Sequence, residues 1–238
     1  MDLRIALAIA RKELREVFNS PTPYVFFVVV TLLSGWFYVT SLFVTGQAAL
    51  DDLFSPLPLL FVFFLPAITM RLFAEEIKMG TFEVLATLPV RETDIIVGKY
   101  LAALALLASA LALTAVHPAL LLVLGRPQAG PVLTGYLGSF LLGAAFGAAG
   151  LFSSTLTRNQ VVSFIVGFLI CFGLFLIGKT SQYVPGLTGS LLAFSGVDAH
   201  YEMFLKGVVD TRDIVYFLSV IGMFLAAAYA VVSGRRWR

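Results

Sequence analysis

The chain has 238 residues, of which 59% are hydrophobic and 13% charged, with a mean hydropathy of +0.95 and a net charge of +2. About a quarter of a soluble domain's residues are charged, so a water-soluble globule is excluded, and the small net charge gives no footing for a nucleic-acid partner. A single cysteine, Cys171, excludes an intramolecular disulfide and a cysteine-built zinc site.

The first twenty residues, MDLRIALAIARKELREVFNS, carry charges throughout and lack a small-residue cleavage site after an apolar core. They do not read as a signal peptide. At about 100° per residue, Leu3, Ala6, Leu7, Ala10, Leu14, Val17 and Phe18 gather on one face. Arg4, Arg11, Lys12 and Arg15 share the other, where Ile5 and Ile9 also fall. The spacing predicts a basic amphipathic helix over residues 1–19, lying along the membrane surface.

Six stretches free of Asp, Glu, Lys and Arg follow: Val17–Leu50, Leu53–Met70, Tyr100–Gly125, Pro127–Thr157, Asn159–Gly178 and Ile214–Gly234, each of 18 residues or more. About 20 helical residues cross the hydrocarbon core. One charge at its centre costs roughly 2.5–3.5 kcal/mol, so such gaps are informative. A seventh, Thr180–Val197, holds Pro185 and three glycines and is rejected as a span. Of the 16 Lys and Arg, only Arg126, Lys179, Lys206 and Arg212 fall on the side away from the termini. Such a bias places both termini in the cytoplasm.

Between spans two and three runs RLFAEEIKMGTFEVLATLPVRETDIIVGKYL, Arg71 to Leu101. Span two is predicted to continue as a helix through Glu75, Glu76 and Lys78, and Gly80 to end it in the left-handed conformation. Thr81 then caps a short helix with Glu83 in its first turn. Phe82, Leu85 and Leu88 form its apolar side and Pro89 stops it. Thr93 is expected to cap span three, with Asp94 in the first turn. Spacing alone leaves an ordinary loop with a surface helix equally open.

Further along, His117 precedes Pro118 about 27 Å up span three from Lys99, near the outer boundary, and reads as an interfacial histidine. Gly135, Ser139, Gly143 and Gly147 recur every four residues along span four, a spacing that lets helices approach closely. Gly173 to Thr180, GLFLIGKT, fits the phosphate-loop pattern letter for letter. It closes span five, its variable positions are apolar, and no helix of useful length opens after it, so a nucleotide site is rejected there. Asp198, His200 and Glu202 would share one face of a strand and suit a metal. The surrounding residues favour a helix, which scatters them, and the expectation is a solvated outer loop over residues 179–213. Glu75-Glu76 also fits the start of the E-E-x-x-x-R pattern of intramembrane prenyl-protein proteases, but position 80, where arginine is required, is Gly80.

Met70-Arg71-Leu72-Phe73-Ala74-Glu75-Glu76, then Gly80-Thr81, Glu83, Leu85, Thr87, Pro89-Val90 and Gly98-Lys99, resembles the signature of permeases of type-2 ATP-binding-cassette (ABC) exporters. Asn19-Ser20-Pro21, Leu133 to Gly138, Thr157-Arg158-Asn159-Gln160 and Phe204 to Asp210 extend the resemblance over nearly the whole chain. Within the family it is most similar to permeases associated with gliding motility, and more distantly to the nitrous-oxide-reductase maturation permease. Ile77 and Ala86 depart from the pattern, where a basic residue and leucine are usual.

The resemblance implies an all-α integral membrane protein: one transmembrane domain, residues 1–238, with six spanning helices and a cytoplasmic coupling segment, residues 71–94. It further implies a bacterial cell-membrane location, pairing with a second copy as a homodimer, and a dimer of separate cytoplasmic ATPases that carry the ATP and magnesium. The chain itself would be non-catalytic and bind no cofactor or metal. Glu75, Glu76, Lys78, Gly80, Thr81, Phe82, Glu83, Leu85, Leu88 and Pro89 would form the ATPase-coupling site, and Thr157, Arg158, Asn159 and Gln160 a second, smaller contact. An accessory subunit on the outer face and contact with membrane lipid complete the implied partners. The alternatives are a membrane scaffold that transmits force without moving a solute, and an ATP-independent transporter or channel. The latter usually carries acidic residues, His or Arg within its spans as ion sites, and none of the six stretches has an acidic or basic residue well inside it.

Overall fold

The structure is a computed structural model that describes residues 2–45, 51–82, 90–124, 129–181, 183–184 and 186–236. Every element among them is a helix, and six helices are long and apolar enough to cross a membrane. In lipid the backbone must satisfy its own hydrogen bonds, which a helix does within one segment.

Helix α1 (Leu3–Phe18) starts at Asp2, whose side chain accepts from the Arg4 amide at 3.0 Å. Its apolar arc serves two surroundings. Ala6, Ala10 and Glu13 are buried against the bundle and Ile9 packs beside them, while Leu3 and Leu7 are 62% and 58% exposed. Small residues meet protein and leucines turn outward, as in a helix that lies at the membrane boundary. Ile9, on the polar side of the helical wheel, belongs to the buried flank because the bundle approaches from that side.

Span one is α2 (Thr22–Thr45). Span two comprises α3 (Asp51–Phe54), α4 (Leu57–Thr69) and α5 (Arg71–Met79). Pro66 removes one donor from α4, yet the Met70 amide donates to the Pro66 carbonyl at 2.9 Å, so the rod continues through Met70 into α5 as expected.

Span three is α6 (Glu92–Thr114) followed, after a break at Ala115, by α7 (Val116–Leu124). The sequence suggested an unbroken stretch. Pro118 has no N–H to return to the Thr114 carbonyl, and His117 Nδ1 lies 2.9 Å from that oxygen instead. The half-buried His117 ring fills the space beside Gly35 of span one, which makes it a packing residue between two spans. The span also starts at Glu92, earlier than the charge-free stretch, and so takes in Asp94 and Lys99.

Span four, α8 (Ala129–Leu156), is the centre of the subunit and packs against spans two, three, five and six. Its small residues make that possible: Ser139, Ala144, Ala145, Ala148 and Ala149 are all buried. A Cβ at Gly143 would lie 2.6 Å from Leu107 Cδ2, so the third span fits there only against a bare backbone. Spans five, α9 (Gln160–Ser181), and six, α12 (Thr211–Arg236), lie outside it and expose apolar side chains such as Val161, Leu169 and Val215. The residues of the phosphate-loop pattern, Gly173 to Thr180, are all inside α9, so their backbone is committed to a helix.

On the side away from the termini, α10 (Leu187–Ser195) and α11 (Val197–Leu205) close over the bundle. The solvated loop expected there is corrected in part. Asp198 and His200 are only 6% and 7% exposed. Asp198 pairs with Lys179 at 2.7 Å, and His200 Nδ1 lies 2.6 Å from Asp213 Oδ1. Glu202 stays at the rim, 3.9 Å from Lys206. The cause is that α11 packs on span four, with the Tyr201 hydroxyl donating to the Phe54 carbonyl at 3.0 Å and within 3.0 Å of the Ser139 hydroxyl.

Candidate functional site

The candidate site lies on the side of the termini, where α1, the end of span two and the start of span three meet. Gly80 ends α5 with φ 72° and ψ 4°, the left-handed region that glycine enters without strain. Thr81 and Phe82 then stand in a helical turn. The Thr81 hydroxyl turns back to the Glu76 carbonyl at 3.4 Å. Phe82, on the expected apolar side, is 8% exposed and its ring packs 6.1 Å from that of Phe73. Glu83, Leu85, Leu88 and Pro89 lie outside the described residues. Glu75 pairs with Arg71 one turn back at 3.0 Å, and Lys78 is exposed.

Glu76 has another role. Lys99, 1% exposed, reaches its Oε1 at 2.9 Å and the Oε1 of Glu13 at 2.6 Å. One buried cation from span three thus joins span two to α1, and the ring of Phe73 faces it 5.2 Å away. Lys12 adds a weaker contact to Glu76 at 3.7 Å. Burial raises the Glu13 carboxyl above its ordinary pKa, Lys99 pulls it back down, and Glu76 pushes it up. The second Glu76 oxygen is buried without a hydrogen-bond partner among the described residues. Beside it a cleft of about 380 Å³ is lined by Lys12, Glu16, Arg71, Glu75 and Thr81 among others.

Gly98 makes this junction possible. A Cβ there would stand 2.7 Å from the Ala6 carbonyl oxygen and 2.8 Å from Ile9 Cβ, so α1 crosses span three at the one residue without a side chain. The start of span three is secured by α1 and not by Thr93. Thr93 lies inside the helix, whose preceding residue, Arg91, gives no side-chain cap. Asp94, 1% exposed, instead accepts from the Asp2 amide at 3.0 Å.

Thr157 to Gln160 form the corner between spans four and five. The Thr157 hydroxyl accepts from the Asn159 amide at 3.1 Å, and Asn159 Oδ1 accepts from the Val161 amide at 2.9 Å, which caps α9. Arg158 and Asn159 are exposed. They line a separate cleft with Lys78 and Arg235.

Sequence reasoning singled out Glu76 but not its partners. Glu13 was legible as an anomaly, since on the wheel it falls between Ile9 and Ala6, where a carboxylate has no water. Lys99 entered as one positive charge on the side of the termini and as part of the Gly98-Lys99 signature, with no partner assigned. Among the described residues no group of three His, Cys, Asp or Glu side chains is placed to hold a metal.

No curated protein matches the chain. A family model described as ABC-2 family transporter protein matches residues 25–230.

Proposed function

The chain belongs to the ABC-2 family of transporter proteins as a multi-pass permease subunit, and we propose that it is an exporter half-unit driven by a dimer of separate cytoplasmic ATPases. Both termini then face the cytoplasm of a bacterial cell and a second copy completes the pathway. The ATPase seats on the segment Gly80 to Pro89, with Thr157 to Gln160 as the lesser contact.

The observation that carries this reading is the buried Lys99 between Glu76 and Glu13. A helix bent at Gly80 and pushed from the cytoplasm moves Glu76, the last buried charge before the bend. If Glu76 left Lys99, the buried ammonium would keep only Glu13 and lose one of its two charge-assisted hydrogen bonds, a cost of roughly 1.5–3 kcal/mol. The push is therefore shared with span three and α1 as one unit. The substrate is the finer question, and the gliding-motility resemblance points to the cell envelope. Spans whose charges are confined to their ends suit an apolar or amphipathic cargo better than an ion.

Purification of the full chain with its ATPase, followed by ATPase assays, tests the reading. A Leu85→Ala, Leu88→Ala double variant should retain the fold and lose stimulation of hydrolysis. Unaltered stimulation, or hydrolysis by the isolated chain, would refute it.

A further inference from the structure

The ends of three spans on the side of the termini converge on a cleft of about 600 Å³ lined by Lys78, Leu156, Thr157, Arg158, Asn159 and Arg235. Three of these six are cations and none is a carboxylate. None of the three cations forms an ion pair among the described residues. Like charges repel, so three cations without counter-charge stay together only because the packing of the helices that bear them holds them there. Arg235 is fixed there: one guanidinium nitrogen donates to the Thr155 carbonyl at 2.9 Å, near the end of span four, where carbonyls lack helical partners. Its remaining donors are free to serve a ligand.

The helix lengths set the height of the cleft in a membrane. Spans two, four and six have 28, 27 and 25 residues, which at 1.5 Å per residue is about 42, 40 and 37 Å. A bilayer with its headgroups is about 40–45 Å thick. The cationic ends of these spans therefore lie in the headgroup layer and not beyond it in bulk water. Directly along span five from the cleft, Val161, Val162, Ile165 and Leu169 are exposed and apolar, a surface suited to acyl chains.

We propose that this cleft binds the phosphate of an anionic phospholipid in the leaflet on the side of the termini. The guanidinium groups of Arg158 and Arg235 and the ammonium of Lys78 would neutralise the headgroup, and its chains would run along span five. An acidic protein segment has matching charge but no use for the apolar surface at that height. A bound lipid would join the ends of spans two, four and six, which the coupling segment displaces relative to one another.

The test uses the full chain alone, so its outcome is independent of how the ATPase docks. Protein in phosphatidylcholine nanodiscs doped with phosphatidylglycerol is washed and its retained lipid measured by mass spectrometry. Wild type should retain phosphatidylglycerol over phosphatidylcholine, and Lys78→Gln with Arg158→Gln should weaken that preference by roughly fivefold for each cation removed. Both side chains are exposed and form no ion pair among the described residues, so the fold is not at stake. An equal change of charge on α1, Arg4→Gln with Arg11→Gln, should leave retention unchanged. Equal loss in both pairs would reduce the effect to general surface charge and overturn the proposal. Displacement of the lipid by millimolar inorganic phosphate would make the cleft a soluble-anion site and overturn it as well. Phosphatidylglycerol retention that is unchanged in Lys78→Gln with Arg158→Gln would also overturn it.

Discussion

Lys99 of span three and Glu76 of span two stand 2.9 Å apart at the foot of the bundle, and the same ammonium reaches Glu13 of α1 at 2.6 Å. Two carboxylates share one lysine in a place where neither is well hydrated. Removing the lysine is therefore far worse than neutralising one acid.

Lys99→Met should destabilise the subunit by about 3–5 kcal/mol, the range for breaking a buried pair and stranding its partner. Glu13→Gln keeps an acceptor for the Lys99 ammonium and relieves the crowding of charge, so it should cost far less. Thermal unfolding of both variants in one detergent checks the order. The reverse order would show that the lysine is not the hub.

The same crowding predicts a pH dependence. The folded protein holds a proton on Glu13 more readily than the unfolded chain, because burial raises its carboxyl above the ordinary 4.5. Stability from this group is fully present below pH 4.5 and is lost as pH rises through the raised folded value. Melting temperatures should fall over that window in wild type, relative to Glu13→Gln. A parallel pair of curves would exclude Glu13 as the source.

Gly98→Val tests the crossing of α1 over span three. Its Cβ would sit 2.7 Å from the Ala6 carbonyl oxygen, which is backbone and cannot turn aside. The expected loss is about 1–3 kcal/mol. Hydrogen exchange should accelerate in residues 3–18 and stay slow in span four. Unchanged protection of α1 would mean that it docks by other contacts.

At Gly80 the constraint is conformational, since a Cβ would meet no atom within 4 Å. Gly80→Ala should cost about 1–2 kcal/mol in the left-handed conformation. Asparagine, which tolerates that region, should cost less. In the complex with its ATPase, stimulated hydrolysis should fall for alanine and recover in part for asparagine. Equal activity of all three would dissociate the bend from coupling.

On the opposite side, His200 lies between Asp213 and the Phe194 carbonyl, at 2.6 and 3.0 Å, and its ring stacks 4.0 Å from that of Tyr216. Asp213→Ala removes the partner that ties α11 to span six. A loss of about 1.5–3 kcal/mol is expected for a hydrogen bond to a charged group, with faster exchange over residues 187–205. If exchange quickens only in span six, the histidine does not act as the tie.

What could be read without coordinates was local. Six charge-free stretches imply six spans because each residue type meets lipid or water on its own account. Gly80 signals a helix end because its backbone reaches φ 72° without strain. The surface helix of residues 3–18 was likewise legible from its period. The tertiary structure decided which charges are signposts of sidedness and which are buried partners. Lys99, Asp94, His200 and Asp198 looked like residues facing water, yet each is matched by a group on another helix or at its start: Glu13, Asp2, Asp213 and Lys179. Periodicity describes one helix at a time. The energy of a buried charge depends on what the neighbouring helix brings to it, and only the packing of the bundle sets that.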